Sequence, residues 1–75
     1  METYKNLGGN SSVTAYETST DHIKVQFKNS PRVYTYSTRR INRMKIEQMK
    51  ALALAGRGLG AFINQNRDVH DGYDR

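Results

Sequence analysis

The sequence predicts a small α+β domain in the order β-β-β-α-α: an antiparallel three-stranded sheet, one main helix and a short C-terminal helix. Three observations predict it. Ile23, Val25 and Phe27 alternate with Lys24, Gln26 and Lys28, the period-two pattern of a half-buried antiparallel strand. Ile41 to Ala55 contains no Gly or Pro and is rich in Met, Lys, Gln, Leu and Ala, all good helix formers. Gly56 then follows, and a glycine past the last turn takes the left-handed conformation without a Cβ penalty.

Taken in order, Met1 to Asn10 is polar and holds Gly8-Gly9-Asn10, which reads as a flexible lead-in with a turn. Ser11 to Glu17 carries β-favouring Val13, Thr14 and Tyr16 and is the first strand. Thr18-Ser19-Thr20-Asp21 has turn composition, and His22 to Lys28 is the second strand. Asn29-Ser30-Pro31 closes a hairpin, with Pro31 suited to the turn because it lacks an amide hydrogen. Arg32 to Ser37 returns with Tyr34 and Tyr36 on one face.

Ser37 or Thr38 can cap the helix that follows, with Asn42 as a rival if it begins later. At about 100° per residue, Ile41, Met44, Gln48, Leu52 and Ala55 form the stripe expected to face the core, with Met49 at its edge. Ile46 and Ala53 lie further round, and Leu54 is nearly opposite, which points to a second packing partner. Gly58 and Gly60 let the chain reverse, Leu59, Phe62 and Ile63 supply apolar contacts, and Gly60 to Asn66 forms further helical turns. Residues 11–67 are thus read as the domain and the polar stretch 68–75 as a loose tail. Gly56 to Ala61 satisfies the dinucleotide pattern G-x-G-x-x-G/A literally. That fingerprint requires a preceding strand and a βαβ unit, however, and here it follows a helix.

With 75 residues and no cysteine, the chain is one domain with a small core and no disulfide or thiolate metal site. No apolar run approaches a membrane span of roughly 18 residues, and the N-terminus lacks the features of a signal peptide. A cytoplasmic protein is expected, which leaves the glycosylation pattern Asn10-Ser11-Ser12 without meaning.

The chemistry on offer is basic rather than catalytic. His22 and His70 are isolated from any nucleophile or third orienting group. Asp68, His70 and Asp71 would at most catch a metal loosely from a mobile acidic tail. The expectation is no enzyme, no metal and no cofactor. The net charge of +5 arises almost wholly between Arg39 and Arg57, where Arg39, Arg40, Arg43, Lys45, Lys50 and Arg57 oppose Glu47 alone. Arginines at a helix start cost a few tenths of a kcal/mol each against the dipole. The same place, with its outward amides, is well suited to phosphate.

The run Ser11-Ser12-Val13…Tyr16, the hairpin ending in Tyr34-Thr35-Tyr36, the helix and then Gly58…Phe62-Ile63-Asn64 resembles the KTSC domain. That small domain is named for the C-terminus of some lysyl-tRNA synthetases and also occurs alone in bacteria and their viruses. The likeness spans roughly residues 10–73. It implies a small sheet packed on a helix and a role in RNA binding. The family's tyrosine pair falls on Tyr34 and Tyr36, and its Gly-rich bend on the segment with Phe62 and Asn64. The basic run Arg39-Arg40-Ile41-Asn42-Arg43 departs from members that are more acidic and proline-containing.

Two functions are therefore expected. The first is a non-catalytic nucleic-acid-binding module, for RNA ahead of DNA, gripping phosphates with Arg39, Arg40, Arg43 and Arg57, extended by Lys24 and Lys28. The second is a self-associating viral or bacterial protein that binds a small anionic nucleotide or docks on a protein partner. Its ligand pocket would draw on Tyr34, Tyr36, Arg57, Gly58 and Gly60, and a homodimer would form through Ile46 and Leu54. Tyr34 and Tyr36 either stack bases or sit over the helix with their hydroxyls at the rim.

Overall fold

The computed structural model describes residues 1–9, 12–28 and 30–73. Asn10, Ser11, Asn29, Asp74 and Arg75 lie outside these described residues. With them go the expected strand start at Ser11, the Asn29 share of the hairpin turn and the end of the tail. The order is β1 (Glu2–Thr3), β2 (Val13–Thr18), β3 (His22–Phe27), β4 (Val33–Ser37), α1 (Arg43–Ala55), α2 (Leu59–Gln65) and α3 (Arg67–His70). The α+β class stands, but the sheet has four antiparallel strands in the order β1-β2-β3-β4, and three helices follow it.

The added strand comes from the segment read as a lead-in. Glu2 pairs with Tyr16 and Thr3 with Ala15, and Tyr4 is buried in the core. Its ring meets Tyr16 edge-on, with centroids 6.4 Å apart. The Leu7 amide donates to the Gly56 carbonyl at 2.7 Å. The polar composition hid this because only Tyr4 of the segment enters the core.

A bulge in β2 sets the phase of the first hairpin. Val13 faces Phe27 while Ala15 faces Gln26, so Thr14 is the extra residue, and such an insertion shifts the alternation by one. Val13 and Tyr16, three positions apart, are consequently both buried. Thr14 also ties the strands on either side, its hydroxyl donating to the Gln26 carbonyl at 3.1 Å and its carbonyl accepting from the Tyr4 amide at 2.9 Å. On β3, Ile23 and Val25 are fully buried and Phe27 partly so, as the alternation requires.

The main helix begins at Arg43 with Asn42 as its cap, the Asn42 Oδ1 accepting from the Met44 amide at 2.8 Å. The stop at Gly56 is left-handed, with φ 79°. A Cβ on Gly56 would also lie 2.6 Å from the Lys5 Cβ, so only glycine fits the close passage of the N-terminal segment. The expected stripe is wrong by a little over a third of a turn. The residues of α1 that are buried are Ile46, Met49 and Ala53, whereas Met44 is 74% exposed and Gln48 and Ala55 also face water. Ile41 is buried, but it lies in the turn before α1, so a stripe counted from it carries the wrong helical phase.

The C-terminal stretch is no loose tail over its described part. Val69 is fully buried, and Tyr73 packs against the core cluster. A Cβ on Gly72 would lie 2.5 Å from the Asp68 carbonyl oxygen and 3.0 Å from Ile41 Cγ1, so this segment closes tightly over the β4–α1 turn. No helix among the described residues is long and apolar enough to cross a membrane.

Candidate nucleic-acid interface

The turn from Thr38 to Asn42 is fixed from several sides. The Arg40 and Ile41 amides donate to the Ser37 carbonyl at 3.2 and 3.0 Å, and the Thr38 amide donates to the Asp21 carbonyl at 3.0 Å. Burial of Ile41 anchors the turn from below. Arg39 and Arg40 are left on its exposed crest, and Arg43 is the exposed first residue of α1. No acidic residue stands in the first turn of that helix, so its positive end adds to the arginine field.

Three lysines near them are engaged with carboxylates. Lys24 lies 3.9 Å from Glu17, Lys45 grips Asp68 at 2.8 Å, and Lys50 pairs with Glu47 at 3.0 Å. Lys50 also donates to the Thr20 carbonyl at 2.9 Å. Hydrogen bonding from Lys45 holds the Asp68 carboxyl below its ordinary value. The Asp21 carboxyl is lowered chiefly by its bond to His22 at 3.0 Å, with Arg43 among the smaller causes.

Of the six expected phosphate ligands, only Arg39, Arg40 and Arg43 are brought together. Arg57 follows α1 at its far end, and thirteen residues of helix span about 20 Å. Lys28 follows the far end of β3, whose first residue His22 pairs with Ser37 beside the arginine turn. Six strand residues likewise span about 20 Å. Lys24 points to the sheet face opposite the core, as its place between buried Ile23 and Val25 dictates.

The expected pocket is two hollows. Arg57, Gly58 and Gly60 line one of about 240 Å³ with Tyr4, Asn6, Gly8 and Ala61. Tyr34 and Tyr36 line another of about 290 Å³ with Phe27, Ile63, Tyr73, Asn64, His70, Ser12 and Ser30. Tyr36 is the buried member of the pair and Tyr34 the half-buried one. Burial, with the Tyr34 and Tyr73 hydroxyls adding, pushes the Tyr36 hydroxyl well above the ordinary tyrosine range. Tyr73 meets Tyr34 edge-on at 4.6 Å and Tyr36 at 6.3 Å, while Phe27 meets Tyr34 at 5.4 Å. Sequence reasoning assigned Tyr73, Phe27 and His70 no place here. The available signal was the spacing of Val69 and Tyr73, four residues apart in an otherwise polar stretch.

Ile46, expected to serve self-association, is fully buried beneath α1 and unavailable to a second copy, whereas Leu54 is 64% exposed. Asp68 is held by Lys45, and His70 bonds Asp71 at 2.9 Å. Among the described residues no group of three or more histidine and carboxylate side chains converges on a metal position. No family model, curated protein or solved structure matches this chain.

Proposed function

We propose that the protein is a non-catalytic, cytoplasmic nucleic-acid-binding module that holds the phosphates of RNA, in preference to DNA, with Arg39, Arg40 and Arg43. One observation carries this reading: three exposed arginines within five residues crown a rigid turn at the positive end of α1. Lys24, Lys45 and Lys50 each face a carboxylate of the chain itself. Guanidinium forks suit phosphate geometry, and the uncompensated helix start adds to the attraction. The resemblance to the KTSC domain and its implied RNA role supports the same reading. Among the described residues no Phe or Tyr stands on the solvent face of the sheet, where His22, Lys24, Gln26, Ala15 and Thr35 lie, which argues against a broad stacking platform there. The test is a salt titration of RNA, single-stranded DNA and duplex binding. Retention of RNA that falls steeply with salt is expected, and a protein that retains no polynucleotide at low salt overturns the reading.

A second reading, a homodimer, is favoured by the exposed face of α1. Met44, Ala51, Leu54 and Ala55 share that face, and two-fold pairing would set Leu54 against its own equivalent. Two arginine turns would then act as one longer surface.

A further inference from the structure

The pocket between β4 and the C-terminal segment is lined by rings and by neutral polar groups, and nothing in the phosphate grip uses it. We infer that it is a nucleobase site, receiving one unpaired base of the strand whose phosphates the arginine turn holds. The inference rests on the nucleic-acid reading for its strand, and on the pocket alone for its base.

Size is the first argument. A hollow of about 290 Å³ lies at the lower bound of small-molecule clefts, matching one ring system rather than a peptide side of a partner. The lining is the second. Tyr34, Tyr73 and Phe27 are partly buried rings in edge-to-face contact, so they are held in place and still reach the opening. Aromatic rings of this kind receive unstacked bases. Asn64 supplies both a donor and an acceptor, and His70 and the hydroxyls of Ser12 and Ser30 add further polar edges. Among the described residues no Asp, Glu, Lys or Arg lines the pocket, so these walls suit an uncharged heterocycle better than a phosphate.

Placement is the third argument. Gly72 presses on Ile41 of the arginine turn, and its neighbour Tyr73 forms one wall of the pocket. The phosphate grip and the ring-lined hollow are thus joined through one short segment. At the other end, exposed Lys28 follows Phe27, and the amide of exposed Arg32 reaches the Ser30 hydroxyl at 3.4 Å. The cations at the two ends stand about 20 Å apart along β3. They would thus meet phosphates several nucleotides apart on a strand whose unpaired base enters the pocket between them.

The test uses the full chain and two kinds of probe. Uncharged nucleosides are titrated by NMR, and short single-stranded RNA is titrated by tyrosine emission, which is unobscured because the chain has no tryptophan. Nucleosides are expected to shift the Tyr34, Asn64, His70 and Tyr73 signals with little dependence on salt. Tyr73→Leu should weaken single-strand binding roughly 5- to 150-fold, the range for loss of one stacked base, while leaving the salt slope as it was. Asn64→Asp, on an exposed position, puts a negative charge at the pocket and should abolish the nucleoside shifts even if Tyr73→Leu unfolds. Nucleosides that leave those four signals unmoved overturn the inference, whether or not RNA is retained. Nucleoside shifts at these residues in a protein that retains no RNA would uphold the base site and overturn the phosphate reading alone.

Discussion

Tyr73 stands edge-on to Tyr34, their ring centroids 4.6 Å apart, which fastens the C-terminal segment to the middle of β4. The aromatic hollow exists because of this contact, since Tyr34 and Tyr36 on a bare strand would form a surface and not a pocket. On the proposed reading the arrangement also separates two chemistries: charged recognition on the arginine turn and neutral recognition among the rings.

Replacing Arg39, Arg40 and Arg43 by Gln is expected to lower the slope of log affinity against log salt. The loss should reach about three contacts, at roughly 0.9 per duplex phosphate or 0.7 per single-strand phosphate. The substitutions lie on exposed positions, so the fold should persist. An unchanged slope in the folded triple variant would remove this turn from the interface.

Tyr4→Phe is expected to destabilise the fold by about 1–3 kcal/mol, the cost of a buried donor left unsatisfied. The donor is the Leu59 amide, which gives its hydrogen to the Tyr4 hydroxyl at 3.2 Å in a buried setting. Each kcal/mol corresponds to about 4–8 °C of Tm in a domain of this size. A melting temperature equal to that of the parent would mean that the amide finds another acceptor.

The Lys45–Asp68 pair sets a pH dependence of definite sign. Because the folded carboxyl titrates below its unfolded value, its contribution is fully present above the unfolded pKa of about 3.9. It is lost as pH falls through the folded pKa. The partners are solvent-exposed, so the effect is small. Thermal melts of the parent and of Asp68→Asn should differ near neutral pH and converge in acid; a gap of constant size across that range would contradict the assignment.

Leu54→Glu tests the homodimer. If two copies pair along α1, the variant should sediment as a folded monomer where the parent does not, and should bind polynucleotide more weakly. A parent that is itself monomeric at high micromolar concentration would end this reading.

Much of the fold was legible because it follows from local chemistry. The alternation of Ile23 and Val25 fixed a strand, Gly56 a helix stop, and Asn42 offered a cap. What escaped depended on distant contacts. Tyr4 and Val69 sit in polar company, and their burial is decided by elements far away in sequence. The helix phase failed for a different reason: Ile41 is apolar because the turn needs an anchor, not because it belongs to the helical face. The proposed phosphate site was legible as a cluster of Arg39, Arg40 and Arg43. Its supposed extensions to Arg57 and Lys28 were not, because proximity there depends on the length of α1 and the direction of β3.

The bond between Tyr4 and Leu59 bears on the time course of folding. The β2–β3–β4 meander is joined by short turns, so its contacts close small loops and form early. The Tyr4 hydroxyl has to wait for Leu59, 55 positions on, and the Leu7 amide for Gly56. β1 itself pairs with β2 across only twelve to fourteen residues, so its ladder can form with the meander, while the ties that hold the segment after it close last. Until they do, a strand of two residues only lightly covers the outer edge of β2, and such an edge offers backbone groups to a neighbouring strand.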